Sequence, residues 1–446
     1  VPEGSRITAR LSIEGRLLAE VTARLPETTT ARLTIDLREQ MHGQRYEKLL
    51  WSPEHPRLIG AEVMLAPAKA PLTGGRASTI APASVPDVVA SYLGLRSVGT
   101  RHRRFLLNGR PYYVRAVLEQ GFWPDSHLAA PDDGARRDEI ALIKKLGFNT
   151  ARIHQKVEDP RLLYWADRLG LLLWGEMASP YEFTTQSITR LVTEWSAAVR
   201  RDRSHPSIVT WVPINESWGV QHLAERPEQR ALSRALADLT RAIDPSRPVV
   251  SNDGWEHTCS DIISIHDYDA DDLAVTLRYA EADGIGALLA GLGPAGRRMT
   301  VQGAVDHDLP VMVTEFGGIR YLPDGERTDG GEGAAGATNG RAAASSAGAG
   351  GARSAAGAEE TGTSKDWEDE EDETTWGYTT ADGPEDFEAR LRRAFGAIQA
   401  SPHLAGFCYT QLTDTMQEAN GLTDAHRRPK ISAKVIREIV RTPVTS

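Results

Sequence analysis

From about residue 104 onward the chain alternates short apolar runs with amphipathic stretches, and this alternation restricts the fold more than any other feature. YYVRAVL, NTARI, LLLWGE, SIVTWVPI, PVVSN, DIISIH, PVMVTE and LAGFCYTQL read as strands. GARRDEIALIKKLG, EDPRLLYWADRLG, TTQSITRLVTEWSAAVRRD, PEQRALSRALADLTRAI, PEDFEARLRRAFGAIQ and ISAKVIREIV carry apolar residues at helical spacing. Pro160 near the start and Gly170 just past the end mark the bounds of the second helix. Strands that alternate with helices pair in parallel, and eight such units predict a closed (β/α)8 barrel, an α/β fold. An open doubly wound sheet is the alternative, but no Gly-rich phosphate loop follows the first strand.

The segment before the barrel reads differently. RITARLSIEG, RLLAEVTARL and TARLTIDLRE alternate apolar and polar residues, and LLWSPEHPRLIGAEVMLA adds two short strands around a proline-rich bend. These predict a small immunoglobulin-like β-sandwich over residues 1–96, with the barrel over 97–446. Residues 324–375 break the barrel pattern: Gly, Ala and Ser dominate, then an acidic run follows. Thirteen acidic against four basic residues in this insert account for nearly all of the net charge of −10. Such a composition cannot bury enough apolar area to offset its ordering entropy, so disorder is expected there.

Elsewhere composition mainly excludes. With 40% apolar residues a large core can form. No basic stripe suggests a nucleic-acid partner, and no apolar run is long enough to span a membrane. Cys259 and Cys408 fit no metal spacing and read as reduced core thiols, which favours a cytoplasmic location. The start VPEGSRITAR lacks a signal-peptide pattern and an initiator Met, so an upstream segment stays open.

In such barrels the chemistry sits at the C-terminal ends of the strands. Glu216 ends strand four in WVPINE, and Glu315 ends strand seven in VMVTEFGG. These strands oppose each other across the mouth, so the two carboxyl groups can meet. Glycoside hydrolysis needs such a pair: a neutral acid for the leaving oxygen and an anion for the anomeric carbon. Either Glu alone reads equally well as a salt-bridged rim residue. Arg152, at the end of strand two, is the cation expected beside Glu315. Trp218, Trp255 and Trp123, on the loops after strands four, five and one, are candidate walls for a sugar ring, or loop packing. His154 and His266 sit at the same rim, as sugar contacts or structural imidazoles. Asn252, Asp253 and Glu176 are further candidates for binding hydroxyls.

Taken together, NE after strand four, TEFGG after strand seven, FLLNGRPYYVRAV, GFNTARIHQKVEDPRLLYWADRLGLLLWGEM and YTQLTDTMQEANGL resemble family 2 of the glycoside hydrolases, the β-galactosidase, β-glucuronidase and β-mannosidase group. The resemblance covers most of the chain outside the insert. It implies a retaining enzyme with Glu216 as acid/base, Glu315 as nucleophile and Asn215 as partner of the sugar 2-hydroxyl. Tyr268 then donates to the nucleophile, and Gln411 belongs to the ring of residues closing the mouth.

Some features depart from the family pattern. The acid and histidine that hold magnesium in large β-galactosidases have no counterpart after WGEM, so no metal and no cofactor are expected. β-Glucuronidases hold the sugar carboxylate with an Asn-x-Lys pair, and no asparagine here is followed two residues later by lysine. A neutral, β-galactoside-like hexoside is therefore the expected substrate. The family's N-terminal jelly-roll domain is missing from this sequence, which leaves a catalytically impaired carbohydrate-binding relative as the alternative. A metal-dependent hydrolase using His266, Asp267 and Asp269 is a third reading, without a second ligand cluster to support it. A homo-oligomer stays open.

Overall fold

The computed structural model describes residues 4–28, 30–37, 44–67, 86–301, 308–323 and 375–444. Strands β1 (Arg6–Ile13), β2 (Arg16–Arg24), β3 (Ile59–Ala66) and β4 (Asp87–Leu93) form one antiparallel sheet in the order β2-β1-β3-β4. A short helix, α1 (Gln44–Glu47), precedes β3. The expected sandwich needs a second sheet facing the first, and none is present among the described residues. The run TARLTIDL contributes no ladder there: residues 31–37 form no strand and are exposed or half-buried.

The stretch LLW is not a strand either. Leu50 makes a single bridge to Leu95, and Trp51 is driven fully out of solvent. Its indole N–H donates to Asp167 O at 2.7 Å, and its ring joins the apolar cluster inside the barrel. Trp51 thereby ties the segment before β3 to the barrel, and Tyr92 of β4 donates to Asp167 Oδ2 at 2.8 Å. Strands β5 (Val98–Arg101), β6 (Arg104–Leu107) and β7 (Arg110–Pro111) form a three-stranded antiparallel sheet whose Phe105 and Leu107 enter the same cluster.

Seven barrel strands follow: β8 (Val114–Glu119), β9 (Thr150–Ile153), β10 (Leu172–Glu176), β11 (Ile208–Val212), β12 (Ile263–Asp267), β13 (Val311–Phe316) and β16 (Leu404–Tyr409). They run parallel in the order β11-β10-β9-β8-β16-β13-β12. PVVSN, the fifth expected strand, bridges the gap without forming a continuous ladder. Val249 and Asp253 pair singly with Trp211 and Asn215, while Asp261 N donates to Val249 O. Two short strands, β14 (Ile319–Arg320) and β15 (Thr379–Thr380), pair with each other above the seventh strand.

Helices α2 (Asp133–Lys145), α3 (Pro160–Leu169), α4 (Thr185–Asp202), α5 (Pro227–Ile243), α8 (Pro384–Gln399) and α9 (Ala433–Val440) lie where their patterns place them. Asp132, Asp159 and Thr184 accept from backbone N–H groups at the starts of α2, α3 and α4. Gly170 caps α3 in the left-handed conformation. After the sixth strand the chain forms α6 (Asp272–Ala280) and α7 (Ala282–Ala290), which the sequence reading did not single out. Among the described residues, no helix is long and apolar enough to cross a membrane. The expected disordered insert lies outside the described residues.

Candidate active site

The centre of the barrel mouth is a guanidinium. Arg152, at the end of β9, is fully buried and meets three carboxylates. Its Nη1 donates to Glu315 Oε1 at 2.7 Å and its Nε to Glu176 Oε2 at 2.8 Å, while Asp253 Oδ2 lies 2.9 Å from Nε. Nη2 donates to Asn215 Oδ1 at 2.7 Å. Isolated in this interior, each of these ions would carry a large desolvation cost; grouped, each supplies the others' counter-charge. Burial works against Asp253, yet Arg152 and His266 hold its carboxyl well below the usual range. Burial pushes Glu176 up to about 7 despite the pull of Arg152.

Glu315 lies within β13, buried, at the end of its strand. Its second oxygen, Oε2, accepts from the Tyr268 hydroxyl at 2.6 Å. Burial and then the Glu315 charge raise the Tyr268 phenol well above its ordinary value, so it stays a donor. Glu216 does not end its strand in the strict sense. It stands beyond β11 in a turn where Glu216 and Ser217 take φ of +50° and +57°. The turn is held by Glu216 N donating to Asp253 O at 3.0 Å and Ser217 N to Asn252 Oδ1 at 2.9 Å.

His266 joins the two glutamates. Its Nδ1 donates to Glu216 Oε1 at 2.7 Å and lies 3.4 Å from Glu315 Oε2. Burial opposes charging this imidazole, but Glu315, Asp253 and Glu216 outweigh it and hold the group up at about 10. His154 behaves oppositely: burial, reinforced by Arg152, pushes it down to about 4 and leaves it neutral. One oxygen of Glu216, one of Glu315 and a His266 nitrogen all lie within 4.8 Å of one another. Among the described residues this trio has the spacing of a metal-ligand set. A cation held there would sit close to the Arg152 guanidinium, 2.7 Å from Glu315.

The structure thus brings together Glu216, Glu315, Arg152, Asn215, His154, His266 and Tyr268. Trp255 packs edge-on against His266 at 5.5 Å, and Trp218 stands at the surface, edge-on to Tyr181. Three expectations need correction. Asn252 spends its amide on Ser217 and on Trp255 O, so it shapes the loop rather than facing a sugar. Asp253 is enclosed by Arg152, Thr314 and His266. Trp123 is buried with the Arg427 guanidinium 3.3 Å from its ring centre, which removes that position as a sugar platform.

Four residues not singled out from the sequence also stand at this mouth. Tyr378 stacks on Tyr268 with centroids 3.5 Å apart, and Trp376 meets Tyr378 edge-on. The stack needs Gly318, because a Cβ there would collide with the Tyr378 ring. Gln120 and Glu418 surround Gln411, which is buried. The aromatic pair in TTWGYTT and the acid in MQEANGL were the available signals.

Fold and site define a β/α-barrel protein with paired carboxyl groups at the C-terminal mouth. Residues 98–283 match the family description "Glycosyl hydrolases family 2, TIM barrel domain". Among curated relatives, the β-glucuronidase of Rattus norvegicus is 29% identical over 207 residues, covering 42% of this chain and 30% of that protein. The β-glucuronidase of Canis lupus familiaris is 28% identical over 244 residues, covering 49% and 34%. The chain therefore matches these relatives over about a third of their length. Among solved structures, a GH2 β-galacturonidase from Eisenbergiella tayi bound to galacturonate superposes with a TM-score of 0.63 at 17% identity, covering 98% of this chain and 67% of that one. A Parabacteroides merdae β-glucuronidase gives 0.67 at 14% identity, covering 99% and 48%. These structures share the fold. The relatives are uronidases by name, so the β-galactosidase-like expectation draws no support from them.

Proposed function

We propose that the chain hydrolyses terminal β-glycosides with retention of configuration, through a covalent glycosyl-enzyme on Glu315. The observation that carries this reading is the approach of Glu216 and Glu315 oxygens to within 4.8 Å. A retaining pair stands about 5–5.5 Å apart, whereas an inverting pair needs roughly 6.5–9.5 Å to admit a water. In the first step Glu216 protonates the departing oxygen while Glu315 attacks the anomeric carbon. In the second, Glu216 takes a proton from the incoming water as it displaces Glu315. Arg152 and Tyr268 neutralise Glu315 as it becomes the leaving group, and the Asn215 amide, its oxygen fixed by Arg152, presents its NH2 to the sugar 2-hydroxyl.

The first-formed sugar should appear as the β-anomer when hydrolysis is followed by NMR; an α-anomer would rule out double displacement. Replacing Glu216 by Ala should slow hydrolysis by about 10²–10⁴-fold, the usual worth of general acid–base catalysis. The loss should be smallest for a dinitrophenyl leaving group, which needs no proton, and azide should restore turnover with a β-glycosyl azide as product. If azide has no effect on a variant that still forms the covalent intermediate, Glu216 is not the general base.

The relatives' names favour a uronide as the sugar. The missing Asn-x-Lys pair favours a neutral hexoside, and we adopt the neutral reading. The insert is read as uninvolved in turnover. Deleting residues 326–373 should leave kcat and KM within about twofold, as expected for a Gly/Ala-rich acidic composition with little apolar area to bury; a tenfold change in KM would show that it contributes to binding.

A further inference from the structure

Gln120 follows β8 and Gln411 follows β16, so their side chains meet where the first and last barrel strands adjoin. Gln120 Nε2 donates to Gln411 Oε1 at 2.7 Å, which fixes both amides. Both then aim an N–H at one oxygen of Glu418: Gln120 Nε2 lies 3.1 Å and Gln411 Nε2 3.0 Å from Oε2. Asn420 Oδ1 takes a further hydrogen bond from Gln411 at 2.7 Å. Glu418 Oε1 accepts no hydrogen bond among the described residues, and the side chain is only partly buried. This carboxylate is therefore held rigidly at one oxygen and open at the other. It also feels the nucleophile: burial raises its affinity for a proton, and Glu315 adds to that. Tyr378, stacked over Tyr268, senses the charges of Glu315, Glu216 and Glu418 alike.

The barrel order says what part of a substrate meets this oxygen. Around the mouth, Glu216 comes after the fourth strand, Glu315 from the seventh, and Gln411, Glu418 and Gln120 from beyond the eighth and first. A sugar with its anomeric carbon over Glu315 and its leaving group toward Glu216 extends its remote hydroxyls to the side of Glu418. We propose that Glu418 is a specificity-determining residue that accepts hydrogen bonds from those remote hydroxyls and excludes sugars bearing a carboxylate. An acceptor-only group recognises hydroxyl donors, and a substrate carboxylate would bring a further anion to a mouth where Arg152, His266 and Lys430 are already paired with carboxylates. This inference rests on the glycosidase reading above.

The test compares hydrolysis of p-nitrophenyl β-galactoside and β-glucoside with that of p-nitrophenyl β-glucuronide by the full chain and its Glu418→Gln and Glu418→Asp variants. The unmodified protein should prefer a neutral substrate in kcat/KM by about 100-fold or more. Glu418→Gln should lower the neutral kcat/KM by roughly 10–100-fold and shrink the preference at least tenfold, while Glu418→Asp, which keeps the charge, retains most of it. A glucuronide preference in the unmodified protein, or an unchanged ratio in Glu418→Gln, would overturn the assignment. If no glycoside is cleaved, the glycosidase reading fails, and calorimetric binding of galactose and glucose against glucuronate still decides for or against Glu418. Neutral sugars binding no tighter than glucuronate, or a ratio untouched by Glu418→Gln, counts against it.

Discussion

A Glu315→Gln variant should lose turnover by about 10⁵-fold, since a neutral amide cannot form the glycosyl ester and removal of a nucleophile costs on this order. The substitution is close to isosteric, and Arg152 Nη1 and the Tyr268 hydroxyl, at 2.7 and 2.6 Å from the two oxygens, give the amide a defined place. Folding should therefore survive while chemistry does not. A denaturation midpoint near that of the unmodified protein, together with near-zero release of aglycone, is the expected pair of results. Complementary evidence comes from a 2-fluoro glycoside with a good leaving group, which slows the second displacement. It should leave one glycosyl unit attached to the peptide that contains Glu315. A label on any other peptide, or a Gln variant within about tenfold of the unmodified rate, would show that the nucleophile lies elsewhere.

How much of this was legible beforehand differs between fold and site. The barrel could be read because each unit carries its own local signal: an apolar run, an amphipathic period, a cap such as Asp159 or Gly170. The small sheet was read less well. Alternation in TARLTIDL looks the same whether or not a neighbouring strand exists to pair with it, and Trp51 became a plug in the barrel through a contact far along the chain. Within the site, barrel geometry set Arg152 and Glu315 at strand ends, while their pairing followed from the need to keep a family-implied nucleophile ionised. Asn252, Asp253 and Trp123 were misread because a residue's strand-end address does not say which side of the loop its side chain occupies. Asn252 hydrogen-bonds to Ser217, Asp253 pairs with Arg152, and the Arg427 guanidinium covers the Trp123 ring. Tyr378 and Glu418 come from segments with no strand to announce them, and only the folded chain sets them at the mouth.

The largest stability effect is expected at Arg152. Replacing it by Met leaves Glu176, Asp253 and Glu315 buried without their shared cation. Stranding a buried charge by removing its partner costs about 3–5 kcal/mol, whereas the lost side-chain packing is largely retained by Met. Turnover should fall as well, by at least about 10²–10³-fold, because the positive group that steadies Glu315 as it departs is gone. Lys at this position separates charge from shape. It keeps one positive charge but cannot direct separate N–H groups to Glu176, Glu315 and Asn215 as the planar fork does. Arg152→Lys should therefore recover part of the stability and much less of the rate. Urea denaturation and kcat on the same preparations give both quantities. A Met variant as stable as the unmodified protein would mean that the three carboxyl groups do not depend on this guanidinium, and the account of how Glu315 is held ready would fall with it.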